Sequence, residues 1–177
     1  MFLQKFDRFI LKFTNKYWRN SRVDKWMSFL THLGDMGFIW IVTAVILIIK
    51  KNHRESGVMM LCALVLTTIL GEGILKNLIR RLRPCTDALA AKLLISKPIT
   101  YSFPSGHTSS SVAAALILAK ISMAFGVSAF CVASLISYSR IYLHVHYPTD
   151  IVGGIILGAI CSDVAIYIFN QGLLNFV

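Results

Sequence analysis

The sequence predicts an all-α polytopic membrane helical bundle of about five transmembrane helices, preceded by an N-terminal amphipathic interfacial helix. Hydrophobic residues make up 56% of the 177 residues and charged residues only 15%. The mean hydropathy of +0.67 is too high for an ordinary soluble domain. Because the hydrophobic residues fall in runs near the ~20 residues that a helix needs to cross a bilayer, we expect one membrane domain over residues 1–177.

The first 25 residues have helical periodicity but carry too much charge to cross a membrane. Phe6, Phe9 and Phe13 recur on one helical face, whereas Lys5 and Lys12 lie mostly on another. This pattern predicts a helix in the membrane interface over residues 1–25, with packing against the rest of the protein as the alternative. Since lysine and arginine interrupt every apolar run here, we expect no cleaved signal peptide.

Five apolar runs follow, and each is close to the length of a membrane span. They cover residues 29–49, 57–79, 106–123, 125–143 and 150–169. The long connection over residues 80–103 contains Arg83-Pro84 and Lys97-Pro98, which stop helices. Loops of that length usually carry function.

When the runs are traced across the bilayer, polar residues from distant parts of the sequence reach one face of the membrane. The end of the second run, the start of the third, the end of the fourth and the start of the fifth share that face. Polar groups that meet at one membrane depth indicate a functional site. We therefore expect the site within residues 76–150, which contain three polar patches.

The first patch is Lys76 with Arg83-Pro84, at the end of the second run. The last turn of a helix favours cations, so this patch alone is best explained as an interfacial basic cluster. Glu72 precedes Lys76 by one helical turn, and this order predicts a buried partner that orients the lysine.

The second patch is Pro104-Ser105-Gly106-His107, where proline ends an extended loop and Ser105 opens a helix. Free backbone N–H groups at a helix start bind anions, and glycine lets an anion approach closely. His107, one residue further on, is placed to transfer a proton. A simple helix cap at Ser105 is an alternative of equal weight.

The third patch combines Ser139-Arg140 with His146 and Asp150. Asp150 follows His146 by four residues and reaches its ring if the chain turns there. A carboxylate on one imidazole nitrogen fixes the tautomer and makes the other nitrogen more nucleophilic, so His146 is a candidate nucleophile. His144 lies outside this spacing, and we expect it to be a wall or interfacial residue.

Together the patches supply three cations, helix-start N–H donors, a proton donor and an oriented imidazole. This combination suits phosphoryl transfer, because the transition state spreads negative charge over equatorial oxygens. Other phosphatase designs are excluded: the sequence has no Cys-x5-Arg loop, no Asp-x-Asp motif, no P-loop and no His-Glu-x-x-His motif. Its four cysteines form no metal-ligand pattern, and we expect free thiols.

The order and spacing of these patches resemble the three signature motifs of the type 2 phosphatidic acid phosphatase (PAP2) superfamily, which also includes vanadium haloperoxidases and glucose-6-phosphatase. All eleven defining positions are filled. The hydrophobic segments resemble those of small bacterial membrane members, so the similarity covers nearly the whole chain. The matching motifs are Lys76-x6-Arg83-Pro84, Pro104-Ser105-Gly106-His107 and Ser139-Arg140-x5-His146-x3-Asp150.

The resemblance implies a phosphohistidine mechanism that needs no metal or other cofactor. His146 would attack phosphorus while Asp150 holds its ring, and His107 would protonate the leaving oxygen and then activate water. The groups that would bind the phosphoryl oxygens are Lys76, Arg83, Ser105, the Gly106 backbone N–H and Arg140.

The resemblance further implies an integral membrane lipid phosphatase whose partners are a phosphorylated lipid and membrane lipids, with no nucleic acid. Undecaprenyl diphosphate is the favoured substrate, with phosphatidylglycerol phosphate or phosphatidic acid as alternatives, because the motifs read phosphate and not the tail. A lipid phosphotransferase using the same phosphohistidine is the alternative from another class. A channel or lipid-binding protein is disfavoured by the clustering of His107, His146 and Asp150, and a haloperoxidase by the hydrophobicity.

The charge distribution leaves the side of the membrane open. The formal net charge is +10, and 14 of the 18 Lys and Arg residues lie on the motif-bearing side of the traced bundle. The positive-inside rule taken literally places that side in the cytoplasm, whereas the resemblance implies the extracytoplasmic face of the cell membrane. We expect the extracytoplasmic face, because an interfacial N-terminal helix need not obey a rule about loops.

Two features of the last run are expected to be structural. Gly154-x-x-x-Gly158 permits close helix packing, which more often serves packing within a chain than a dimer. Asp163 lies toward the opposite face from Asp150, and we expect it to pair or to reach the interface.

Overall fold

The computed structural model describes residues 2–17, 20–86, 94–95 and 98–172, and within these ranges the chain is helical without a β-strand. Helix α1 (Phe2–Tyr17) is followed by α2 (Ser21–Leu33) and α3 (Phe38–Ile49). A continuous stretch then contains α4 (Arg54–Thr67), a π-helical segment (Thr68–Leu75) and α5 (Lys76–Ile79). The last helices are α6 (Gly106–Ile121), α7 (Met123–Tyr142) and α8 (Pro148–Asn170). Lys97, assigned above to a helix stop, lies outside the described residues.

Three stretches are long and apolar enough to cross a membrane: Lys51–Ile79, Met123–Tyr142 and Pro148–Asn170. The pair α2 and α3, bent by 47°, makes a fourth if it is one span. Each of these overlaps a run expected from the sequence, but α6 has 16 residues, fewer than the ~20 of a usual span. The all-helical membrane bundle is thus confirmed, and the count of five crossings is not.

The first apolar run is interrupted for a local reason. Between α2 and α3, Asp35–Gly37 form a short 3-10 turn in which Met36 (φ 52°) and Gly37 (φ 70°) are left-handed. Glycine adopts this conformation without steric cost, so Gly37 allows the bend. The bend leaves Asp35 at the end of the bundle that carries the polar motifs.

Helix α6 lies at the centre of the bundle and packs against α4, α7 and α8. Ten of its residues are buried. Its contact with α8 is close, since a Cβ on Gly154 would lie 2.8 Å from the Ser105 carbonyl oxygen and one on Gly158 2.5 Å from that of Ser109. The expected use of these glycines inside the chain is confirmed, and it holds the starts of α6 and α8 side by side.

Helix α1 has a buried stripe and an exposed aromatic face. Asp7, Leu11 and Thr14 are buried, and the helix contacts α7 and α8. Phe9 is 65% exposed, and Leu3, Phe6 and Phe13 are also exposed. Packing against the protein, the alternative considered from the sequence, therefore describes one side of α1, and the interfacial position of its aromatic side stays a prediction.

Candidate active site

The three polar patches meet at one end of the bundle, around a cavity of about 810 Å³. Ser105 and Asp150 are fully buried next to it. The residues of the patches that line the cavity are Lys76, Arg83, Gly106, His107, Arg140 and His146.

His146 lies in the turn between α7 and α8 with its two ring nitrogens in different surroundings. Its Nε2 is 3.1 Å from Nη1 of Arg83, and because a guanidinium only donates, this nitrogen is an acceptor and the proton resides on Nδ1. Nδ1 lies 3.5 Å from Oδ2 of Asp150. The Nε2 lone pair is thereby directed toward the cations of the cavity.

Burial keeps this imidazole neutral. His146 is 1% exposed, and burial, reinforced by the positive charges of Arg140 and Arg83, holds the pKa of His146 well below its ordinary value of 6.5. A neutral imidazole has the lone pair that a nucleophile needs, and an imidazolium does not.

Asp150 is fixed by the start of α8, whose first residue is Pro148. Its Oδ2 accepts a hydrogen bond from the backbone N–H of Tyr147 at 2.8 Å, which satisfies a donor at the helix start. Its Oδ1 accepts from Nη1 of Arg81 at 2.6 Å. Arg81 lies at a variable position of the first motif, so the motif did not predict it as a site residue.

Three cations are buried at the cavity: Lys76, Arg83 and Arg140 are each at most 5% exposed. Burial lowers the pKa of Arg83, which expresses the cost of removing a charge from water. Nε of Arg140 is buried and has no hydrogen-bond partner in the described part of the chain. Buried like charges are expensive unless an anion joins them, so the cluster is suited to a multiply charged anion.

Each cation is also held by other groups. Nζ of Lys76 lies 2.6 Å from Oε1 of Glu72, as expected from their spacing, but the Glu72 side chain is 40% exposed rather than buried. Arg83 donates to the carbonyl oxygens of Thr100 and Val145 at 2.7 and 2.9 Å. Nη1 of Arg140 donates to Thr31 Oγ1.

His107 is paired with a carboxylate that the motifs do not include. Its Nε2 lies 2.9 Å from Oδ1 of Asp35, at the bend between α2 and α3. Gly34 makes room for the ring, since a Cβ there would lie 2.8 Å from Cδ2 of His107. The one signal in the sequence was an acidic residue inside an apolar run, which by default indicates function.

At the start of α6, the Ser105 side chain caps the helix and Gly106 lies close to Glu72. Oγ of Ser105 accepts from the Thr108 backbone N–H at 3.4 Å and from the Thr108 hydroxyl at 3.1 Å, so the capping alternative considered for Ser105 is realised. A Cβ on Gly106 would lie 2.4 Å from Oε1 of Glu72. Glycine thus lets the Glu72 carboxylate approach the start of α6, and a larger residue at position 106 would require that side chain to shift.

The remaining ionisable candidates lie away from the cavity wall. His144 is buried in the turn before α8, where Nδ1 lies 3.0 Å from the Tyr142 carbonyl oxygen, in keeping with a structural role. Asp163 is exposed on α8.

Three buried cations, a neutral imidazole and a second histidine at one cavity of a helical membrane protein are the set of groups that a phosphoryl-transfer enzyme requires. The chain belongs to the PAP2 superfamily, whose family model matches residues 57–172. Proteins of this superfamily that resemble the chain are hydrolases acting on lipid phosphates.

Relatives and solved structures agree with this family. The chain is 33% identical over 147 residues to an undecaprenyl-diphosphatase of Sulfolobus acidocaldarius, which covers 82% of this chain and 70% of the relative. The crystal structure of Aquifex aeolicus LpxE matches with a TM-score of 0.78 and 27% identity, covering 94% of this chain and 96% of that one. A PAP2-type phosphatidylglycerolphosphate phosphatase from Bacillus subtilis matches with a TM-score of 0.76 and 26% identity, over 98% and 89% of the two chains.

Proposed function

We propose that the protein removes the terminal phosphate from a lipid mono- or diphosphate through a phosphohistidine on His146, with undecaprenyl diphosphate as the favoured substrate. The observation that carries this proposal is the surroundings of His146: Nε2 lies among buried cations and Nδ1 faces Asp150 at 3.5 Å. That arrangement suits a nucleophile that accepts a phosphoryl group.

In the first step, Nε2 of His146 attacks phosphorus in line with the leaving oxygen. The bond between phosphorus and that oxygen breaks, its electron pair stays on oxygen, and His107 supplies the proton. The charge on the equatorial oxygens is stabilised by the three buried cations. The phosphorylated ring is positive, so the 3.5 Å contact between Nδ1–H and Asp150 becomes a charge-assisted hydrogen bond.

In the second step, a water molecule attacks the phosphohistidine. His107, now neutral, accepts a proton from the water, the bond between phosphorus and Nε2 breaks, and the electron pair returns to Nε2. Inorganic phosphate leaves, and both histidines regain their starting states. Asp35 holds the ring of His107 throughout, because it contacts Nε2 at 2.9 Å.

The apolar side chains at the mouth of the cavity are consistent with a lipid substrate. Met36 and Ile99 line the cavity and are 95% and 102% exposed, so apolar side chains lie beside the phosphate-binding groups. A phosphorylated headgroup would enter the cavity while its tail stays in the bilayer. The similarity to an undecaprenyl-diphosphatase favours a prenyl diphosphate, and that to a phosphatidylglycerolphosphate phosphatase favours the glycerolipid alternative.

The decisive experiment measures phosphate release by the purified protein in EDTA, with prenyl diphosphates and glycerolipid phosphates compared as single substrates. We expect release from at least one of them, inhibition by vanadate as a mimic of the pentacoordinate transition state, and the highest kcat/KM for undecaprenyl diphosphate. A strict requirement for Mg²⁺ would contradict the mechanism. Release that occurs only when a second lipid is added as acceptor would identify a phosphotransferase instead.

We place the site on the extracytoplasmic face of the cell membrane. Ile99 lines the cavity and is fully exposed. A cysteine introduced at this position therefore reports directly which side of the membrane carries the site. In a background with Cys131→Ser, which removes the exposed native thiol, we expect Ile99→Cys to react with an impermeant maleimide from outside intact cells. Labelling only after the cells are opened would place the site in the cytoplasm.

A further inference from the structure

We propose that α1 is a working part of the catalytic centre: Asp7, acting through Arg81, is a positioning residue for the Asp150 carboxylate and hence for His146. This inference rests on the proposed role of His146 as nucleophile. It assigns a function to a helix that lies before the residues matched by the family model.

Asp7 is buried deeply and uses both carboxylate oxygens. It is 0% exposed, although Lys5, Arg8 and Lys12 of the same helix are exposed. Oδ2 accepts from Nη2 of Arg81 at 2.6 Å and from the hydroxyl of Thr149 at 2.7 Å. Oδ1 accepts from the backbone N–H of Thr149 at 3.1 Å. Asp7 thereby occupies the start of α8, where a carboxylate is favoured by the unpaired N–H groups.

Arg81 joins this carboxylate to the one that faces the nucleophile. Its Nη2 donates to Asp7, while its Nη1 donates to Asp150 and to Thr149, each at 2.6 Å. The guanidinium also lies over the ring of Tyr147, 4.1 Å from its centroid, which holds its plane. One planar cation with two occupied ends therefore sets the position of Asp150 Oδ1, and with it the direction of Oδ2 toward His146.

The charge balance gives Asp7 a second effect. If Arg81 paired with Asp150 alone, one positive charge would compensate the one carboxylate that must attract the phosphorylated ring. Because Arg81 is shared with Asp7, the group of three keeps a net negative charge next to Nδ1 of His146. That charge stabilises the cationic ring formed in the first step and makes the phosphohistidine easier to form.

The test compares Asp7→Asn, Arg81→Lys and the double variant, with lipid diphosphate as the probe. We expect Asp7→Asn to lower kcat about 10- to 100-fold, the range typical of partners behind a reactive ligand, while KM changes less than about threefold because Asp7 does not line the cavity. The double variant should lose less than the product of the two single losses, because the positioning effect of Asp7 passes through Arg81. Glu55→Gln removes the same charge from an exposed position and should keep the kcat of the unaltered protein.

Several results would overturn the inference. If Asp7→Asn keeps an unaltered kcat while His146→Ala is inactive, the positioning role of Asp7 is wrong and the proposed function still holds. If His146→Ala is active, the proposed function itself is wrong. Additive losses in the double variant, or a loss confined to KM, would also contradict a positioning role.

A second pair of variants covers the case in which Asp7→Asn does not yield a monodisperse protein in detergent. Thr149→Ser keeps the hydroxyl that donates to Asp7 and accepts from Arg81, whereas Thr149→Val removes it. We expect Thr149→Ser to retain kcat and Thr149→Val to lose it. Equal kcat values for these two variants would overturn the proposal.

Discussion

The site contains two pairs of histidine and aspartate that differ in almost every physical respect. His146, in the turn before α8, and Asp150, in the first turn of α8, are at most 2% exposed and approach to 3.5 Å. His107 and Asp35 come from α6 and from the bend before α3, approach to 2.9 Å, and leave the Asp35 side chain 52% exposed. We therefore expect the buried pair to keep one protonation state, and the second pair, whose carboxylate reaches water, to exchange protons with a leaving group and with water.

The surroundings of the pairs match these two tasks. His146 faces Arg83 and Arg140, whose charges oppose protonation of its ring. His107 contacts the Asp35 carboxylate at 2.9 Å, and this negative charge favours the protonated ring of a proton donor against the burial of that ring. Each histidine contacts a carboxylate, so the pairs differ in the exposure of that carboxylate and in the direct contact between Nε2 of His146 and Arg83.

The largest effect is expected from removing the nucleophile. His146→Ala should abolish phosphate release, a loss of more than about 10⁴-fold in kcat, because it removes the proposed nucleophile that forms the covalent intermediate. Release is measured with the purified variant, and an unchanged gel-filtration profile in detergent serves as the control for folding. Turnover by this variant close to that of the unaltered protein would contradict the role of His146 as the nucleophile, and with it the difference proposed between the two pairs.

The next effect tests the buried carboxylate. Asp150→Asn keeps the shape of the side chain but removes the charge that stabilises the phosphorylated ring, and we expect kcat to fall about 10³- to 10⁴-fold. Rapid-quench measurement of the phosphoenzyme should show slower formation of the intermediate. A normal rate of formation would mean that Asp150 has only a structural role.

A smaller effect is expected at the exposed pair. Asp35→Asn should lower kcat about 10-fold, because water has access to the Asp35 side chain, which is 52% exposed, and can take over part of its contact with His107. A substrate with a better leaving group needs less help from an acid, so it should be less affected by the substitution. Equal losses for good and poor leaving groups would contradict a role for Asp35 in proton transfer.

The smallest effect concerns protonation of the nucleophile. Because the pKa of His146 lies well below 6.5, lowering the pH from 8 to 6.5 should leave its ring neutral, and protonation at lower pH should then remove the nucleophile. Nitrogen NMR of ¹⁵N-histidine-labelled protein can follow this, with His146→Gln used to assign the signal. A ring that becomes protonated above pH 6.5 would show that the buried pair does not hold one state.

The parts of the site that were predictable from the sequence are those fixed by local spacing. The interval from His146 to Asp150 and the Pro-Ser-Gly-His start of α6 determine short turns, so their geometry follows from a few neighbouring residues. The bend before α3 was not predictable, because Gly34 and Gly37 are also compatible with an apolar membrane helix. The π-helical segment Thr68–Leu75 was likewise not predictable, because a continuous apolar run does not distinguish a π-helix from an α-helix.

The partners of the motif residues were harder to predict for a different reason. Asp7 has the appearance of one more charge on an amphipathic helix, and Thr31 that of an ordinary helical residue. Each acquires its role only through tertiary contacts, with Arg81 and Arg140 respectively. A single sequence does not show which distant residues form pairs. It does show acidic residues inside apolar or cationic segments, and such residues indicate a buried partner or a function.

The contacts made by the first helices have a consequence for chimaeras between relatives. The family model begins at residue 57, yet Asp7, Thr31 and Asp35 lie before it and hold Arg81, Arg140 and His107. Transplanting residues 57–172 into a relative would carry over all eleven motif positions and leave these three contacts to foreign helices. A chimaera that exchanges residues 1–56 together with the matched region would keep Arg81, Arg140 and His107 with the partners that they contact in this structure.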